Sequence, residues 1–352
     1  MWLPRFRRFR TSDMEDLSHR YLGVLRKRYR LSPDAVSNAP MVELWPEIGE
    51  GGRDLDEILE EVASKASGQP LLLNHYWNVL LGHLMEVVDP AFAANVAVFI
   101  GEVPDGRFNA MTTGSGRRHL VLVQRGLELF LYRMAFIVVA SMRWRLGEPG
   151  EGEVVVEPQI DMASAAAEVR ANLALLGTGR HRMPPEFPPG PARRFAPFLA
   201  YAMQQFVIAH ELGHIVQALW RRQPAKTERE STMIARAARL PVPAWREEAI
   251  CDMFAADLCE RLVPASAARF ELPEALVRRF VVEAPHIVFL FMQALEAAAL
   301  LRGRGASTHP PVTERSSILI EHQCAHGLSP EESGRVAERC LHVAELAGSA
   351  WR

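Results

Sequence analysis

The residues Tyr201–Trp220, YAMQQFVIAHELGHIVQALW, form a mostly apolar run with two histidines and a glutamate set near its middle. No proline interrupts it, and its length suits a buried helix. On a helix, residues four apart stand one above the other on the same face, so His210 and His214 can offer two imidazoles to a single metal ion. Glu211, next to the first histidine, is placed to take a proton from a metal-activated water. The competing reading is a core helix that carries two histidines without using them. A chain with 12 histidines meets the HExxH pattern by chance at a rate of roughly a few per cent. The pattern therefore calls for a third ligand, a wall for a substrate and access for water.

A catalytic zinc takes three protein ligands and keeps a fourth position for water. The continuation HExxHxxGxxH would need glycine at 217 and histidine at 220. The chain has Gln217 and Trp220, which removes that class. An acid on a following helix is the other common source. Trp245–Leu262, WREEAICDMFAADLCERL, has helical spacing and carries Glu248 and Asp252 one turn apart. Glu248 is expected to bind the metal, with Glu247 as the fallback if the register is off by one. Asp252 is expected to accept the free ring N–H of a ligand histidine and hold its tautomer. These acids would otherwise be a solvated face, but Ala249, Ile250, Phe254, Ala255 and Leu258 make much of this helix apolar. Cys251 is expected to point elsewhere, into the core. His322 and His326 repeat the four-residue spacing with no evident carboxylate beyond Glu321, and read as helix-end histidines rather than a second metal site.

Outward from the central stretch, Leu71–Val88 has strong helical spacing, and so do 13–30 and 54–66. His75 and His83 in the first of these read as core or surface histidines. Asn109–Gln124 reads as a β-hairpin: Asn109–Thr113 is extended, Gly114–Gly116 turns, and His119–Gln124 is β-branched and apolar. Helices are expected over Leu127–Arg145 and Asp161–Leu176, with a loop and a short strand at VVV between them. The proline-rich stretch 177–197 reads as a surface linker or lid. The HELGH helix then runs from Pro197 to Arg222, and Gln223–Val242 is a polar stretch. Beyond Leu262, helices are expected at Leu272–Arg279, Pro285–Arg302, Thr313–Ala325 and Glu331–Ala347. The fold class is α+β and mainly α-helical, with a small β-hairpin or sheet beside the central helix. The chain divides into an N-terminal helical region with a basic arm over 1–104, a core over 105–325 in which 131–197 is a helical insert with a proline-rich lid, and a C-terminal helix over 326–352.

Composition narrows the setting. The formal net charge of −2 argues against bulk attraction to nucleic acid or an anionic membrane. The charge is uneven: Met1–Arg30 holds nine basic residues against three acids, and reads as a solvated arm more readily than as a docking arm for an anionic partner. It lacks the apolar segment of a secretory signal. No window reaches the roughly 18 charge-free apolar residues of a membrane span. Four cysteines without a CxxC pair read as reduced thiols, so the expected compartment is the cytoplasm.

The same residues resemble the gluzincin zinc metallopeptidases of the HtpX-like and CaaX-prenyl-protease-like type. Four segments match in order: Asn109–Leu127 (NAMTTGSGRRHLVLVQRGL), HELGH at 210–214, Glu248 to Asp252, and Ser307–Leu319 (STHPPVTERSSIL). The chain departs from the family in a longer interval before the HExxH helix and in lacking the transmembrane helices of many members. The resemblance implies a zincin-like core, Zn²⁺ on His210, His214 and Glu248, and hydrolysis of peptide bonds with Glu211 as the base. It also implies that His309 donates to the oxyanion and that the strand starting at Asn109, Ala110 and Met111 binds an extended peptide or protein substrate. Arg315 is expected to play a structural part. The alternatives are a catalytically silent, zinc-stabilised binding protein and a regulatory peptidase dedicated to one partner.

Overall fold

A helix that is apolar on every side needs neighbours on every side, and this requirement organises the computed structural model. It describes residues 71–103, 110–115, 118–146, 154–175, 191–221, 227–301 and 310–349. The central helix, α5 (Pro191–Trp220), has 30 residues, which makes it about 45 Å long at ~1.5 Å per residue. Its side chains are buried almost without interruption from Phe195 to Val216. Packed around it are α1 (Leu71–Val87), α3 (Arg125–Ser141), α7 (Pro243–Arg261) and α9 (Glu274–Leu301). The remaining helices are α2 (Pro90–Asn95), α4 (Met162–Leu175), α6 (Glu228–Ala237), α8 (Val263–Phe270), α10 (Val312–Ala325) and α11 (Pro330–Ser349).

One small mixed sheet completes the surround of α5. It contains β1 (Ala97–Val103), β2 (Ala110–Ser115) and β3 (Arg118–Gln124) in the order β1-β3-β2. The expected hairpin is present: β2 and β3 pair antiparallel, from Ser115 opposite Arg118 to Ala110 opposite Val123. Strand β1 joins β3 in parallel. Among the described residues β2 is the outer strand on its side, and it packs against α5. A separate two-stranded ribbon pairs β4 (Trp144–Leu146) with β5 (Val154–Val156).

Several expectations change. Helix α5 begins at Pro191 rather than Pro197, so Pro197 lies inside it. Its ring removes a hydrogen bond near the start of the helix, and the burial of Phe195, Ala196 and Phe198 offsets that loss. Helix α9 runs unbroken through Pro285 instead of forming two helices; every residue from Val281 to Phe289 is buried, so packing holds the segment straight enough to continue. The polar stretch after α5 contains α6, which starts at a capping box between Thr227 and Glu230. The helix expected to reach Arg145 stops at Ser141, and Trp144–Leu146 is strand instead.

The region expected as an insert from residue 131 starts inside α3, which is among the most buried helices of the molecule. The divisions at 104/105 and 325/326 are not breaks in the packing: α1 lies on β1 and α5, α11 lies along α9 and α4, and one cluster of buried side chains runs from Trp77 to Ala347. The basic arm, Asn109, His309 and most of the proline-rich stretch lie outside the described residues. Among the described residues no helix is long and apolar enough to cross a membrane.

This packing sets an expectation for stability. Leu131 is fully buried in α3, whereas Leu341 on α11 is 73% exposed. Leu131→Ala should lower the unfolding free energy by about 2–5 kcal/mol, and Leu341→Ala by less than about 0.5 kcal/mol, as read from denaturant titrations.

Candidate metal centre

Helices α5 and α7 cross with unusually little between them. A Cβ added at Gly213 would lie 2.9 Å from the Cα and 3.0 Å from the Cβ of Cys251. Only glycine permits this approach. With the backbones so close, the side chains that flank Gly213 and Cys251, three residues before and one after, meet across the crossing. His210 Nε2 stands 3.3 Å from Glu248 Oε2, and His214 Nε2 stands 3.7 Å from Glu248 Oε1. The two imidazole centroids are 5.0 Å apart with the rings nearly perpendicular.

These spacings are close to what ligands on one ion would need. For zinc–ligand bonds of ~2.0–2.2 Å, neighbouring corners of a tetrahedron lie roughly 3.3–3.6 Å apart. The donor set of two imidazoles and a carboxylate also suits zinc. Glu211 is close as well: its carboxylate and the two imidazoles all lie within 4.8 Å of one another. Glu248, not Glu211, faces both Nε2 atoms directly, while Glu211 is drawn toward the sheet. There the Thr112 hydroxyl lies 2.7 Å from Glu211 Oε2 and 3.0 Å from its backbone carbonyl. Glu247, the fallback ligand, is out of position: it is half exposed and pairs with Arg221 at 2.5 Å.

The outer contacts set orientation and charge. His210 Nδ1 lies 2.8 Å from Asp252 Oδ1. Arg315 grips Asp252 with both ends of its guanidinium, donating from Nε to Oδ2 at 2.8 Å and from a terminal nitrogen to Oδ1 at 2.6 Å. The guanidinium also stacks 4.4 Å over the Phe289 ring. Burial by itself would raise the Asp252 carboxyl; the Arg315 charge and the His210 contact outweigh it and hold the pKa below the usual range. Burial by itself would depress His210, but its hydrogen bonds to Asp252 and Glu248 and their charges lift its pKa to about 10. The His210 ring thus carries its second proton between two carboxylates. His214 shifts the other way, lowered first by burial and then by the His210 charge, so it stays in the neutral form that binds metals.

Of the residues singled out in the sequence, His210, Glu211, His214, Glu248 and Asp252 come together here. Ala110 and Met111 open the outer strand β2, whose neighbour Thr112 reaches Glu211. Asn109 and His309 lie outside the described residues. Cys251 departs from its expected placement. It is buried, but its sulfur turns toward the site and lies 3.3 Å from His214 Nδ1. Thr112 gives no sign of its part in the sequence, because its link to Glu211 spans 99 positions and leaves no local pattern.

A second group, Asp257, His322 and His326, also places its polar atoms within 4.8 Å of one another, and Asp257 is the carboxylate that the sequence does not reveal. Glu321 is instead paired with Arg239. Arg236 donates to His322 Nδ1 at 2.7 Å, so the ring hydrogen sits on Nε2 and is given to Asp257 at 2.8 Å. Neither nitrogen of His322 keeps a lone pair for an ion, and Arg229 on the other Asp257 oxygen adds a further positive charge. This cluster ties α6, α7 and α10 together. Comparison with protein-family models, with curated proteins and with solved structures finds no match to the chain.

Two outcomes test the geometry. In an ordinary helix Gly→Ala gains about 1 kcal/mol; at position 213 the new methyl meets backbone that cannot yield, so Gly213→Ala should instead cost about 1–3 kcal/mol in denaturant melts. The second concerns pH. His210 has a folded pKa of about 10 against an ordinary value of 6.5. Its contribution is complete below the ordinary value and is lost as pH rises through the folded one. The melting temperature of chelator-treated protein should therefore fall between pH 7 and 10, with a shallower fall in His210→Gln.

Proposed function

We propose that this chain is a zinc-dependent endopeptidase with a zincin-like core, of the HtpX-like and CaaX-prenyl-protease-like gluzincin kind. The observation that carries the reading is the meeting of His210, His214 and Glu248 at 3.3 and 3.7 Å, with the Glu211 carboxylate beside them. His210, His214 and Glu248 would hold the zinc. Bound there, zinc supplies Lewis-acid polarisation of a carbonyl and lowers the pKa of water.

The remaining work falls to the chain's own side chains. Asp252 takes the Nδ1 hydrogen of His210 and so leaves Nε2 with its lone pair toward the ion. Arg315 keeps Asp252 ionised. Glu211 accepts the proton of the attacking water at its carboxylate and passes it to the leaving amine. Thr112 holds that carboxylate in place from the outer strand. Strand β2 offers its outer backbone edge to an extended peptide or protein substrate, which would pair with it beyond Ala110 and Met111 as an added strand. In this reading Asn109, the residue before β2 in the chain, would belong to the substrate-binding set, and His309, the residue before buried Pro310, would supply a hydrogen bond to the oxyanion. A zinc-stabilised binding module would have no use for an acid kept beside the metal corner by a dedicated hydroxyl. Free Cys251, Cys259, Cys324 and Cys340 accord with a reducing, cytoplasmic setting.

Zinc content and cleavage of an unfolded protein such as reduced casein, measured on the same preparations, test the proposal. Wild type should carry one zinc per chain and cleave. Glu211→Gln should keep its zinc and lose about 10²–10⁴-fold in rate. A zinc-loaded Glu211→Gln protein that cleaves as fast as wild type contradicts the mechanism.

A further inference from the structure

The second histidine of the site lacks what the first has. His210 rests on a carboxylate, Asp252, which is in turn gripped by Arg315. His214 rests on the sulfur of Cys251, 3.3 Å from its Nδ1. This sulfur is not a ligand candidate: it meets the ring nitrogen on the side away from Glu248, whose carboxylate faces Nε2. Its other neighbour is Gln217, whose Nε2 lies 3.4 Å from Sγ and 2.5 Å from the Glu247 carbonyl. That carbonyl can only accept, so it identifies the Gln217 atom as the donating nitrogen.

We infer that Cys251 is a positioning residue for His214, its sulfur accepting the Nδ1 hydrogen and so holding Nε2 toward the zinc. The inference rests on the zinc reading proposed for this site and extends it to the chain's own outer contacts. When Nε2 carries the ion, Nδ1 must carry the hydrogen, and Gln217 offers only hydrogens. Both neighbours then donate to one sulfur. The close crossing at Gly213 puts the α5 backbone directly against Cys251: a Cβ added at Gly213 would lie 3.2 Å from its sulfur. Gln217, which stands where the HExxHxxGxxH pattern would need glycine, thereby acquires a part of its own. It ties the sulfur to the backbone carbonyl of Glu247, the residue before Glu248 on α7.

Cys251→Ala and Cys251→Ser separate this role from packing, because the two replacements differ by one oxygen. A serine on α7 can give its hydrogen to the carbonyl four residues earlier, that of Glu247, and keep a lone pair for His214 Nδ1. Zinc dissociation constants are measured by chelator competition at pH 7, and melting temperatures on the metal-free proteins. Cys251→Ala should bind zinc about 10–100-fold more weakly than wild type. Cys251→Ser should recover most of that loss, while the metal-free melting temperatures of the two variants fall together. Equal zinc affinities in the two variants, whether both weakened or both unchanged, overturn the role of the sulfur and leave the zinc reading standing. A wild-type protein that binds no zinc overturns both.

Discussion

The close approach of α5 and α7 at Gly213 and Cys251 is the contact on which the centre depends. Two helices with ordinary side chains at the crossing keep their axes about 8–10 Å apart, and glycine at 213 allows α5 and α7 an approach that a side chain there would block. Here a glycine faces a cysteine backbone with no space for even a methyl group. His210 and His214 flank that glycine on α5, and Glu248 and Asp252 flank Cys251 on α7. One steric fact thus brings four polar side chains into a region that is otherwise apolar. Other elements secure the crossing: α9 packs on both α5 and α7, and the outer strand β2 packs on α5.

Placing two carboxylates beside one another in a buried position is costly, and the fold answers with charge drawn from a distant part of the chain. Arg315 comes from α10, 63 positions after Asp252, and its guanidinium is buried with the carboxylate it binds. A buried ion pair of this kind adds little net stability, yet removing one partner strands the other and typically costs about 3–5 kcal/mol. The contact ties the placement of α10 to Asp252 on α7. The Arg236–His322–Asp257–Arg229 chain does the same further along α7. These two networks fix α10 against α7, and α10 follows directly on the His309–Pro310 segment.

What can be read from the sequence follows the range of the interactions. The HExxH pair, the Glu248–Asp252 spacing and the β2–β3 hairpin are local patterns, each complete within a few turns or one connection, and the structure brings them together. Strand β1 escapes a sequence reading because its partner β3 is parallel and remote, so no turn announces the pairing. Pro197 and Pro285 signal breaks that burial overrides. Helix α6 is legible in its Thr227–Glu230 capping box, but the polar composition around it obscures the signal. The place of Cys251 on its helix points to the core, and the residue is buried; that its sulfur also faces His214 depends on the crossing distance, which no spacing along the chain encodes. Thr112 is hidden for the same reason, since a hydroxyl on a strand acquires meaning only from the groups packed against it.

The most direct measurement is X-ray absorption at the zinc edge on zinc-loaded protein. Coordination by His210, His214 and Glu248 predicts a shell of nitrogen and oxygen neighbours at ~2.0–2.2 Å, with the outer-shell pattern of two imidazoles and no sulfur. A sulfur neighbour at ~2.3 Å would make Cys251 or another thiol a ligand and contradict that assignment. A spectrum with fewer than two imidazoles would contradict it equally.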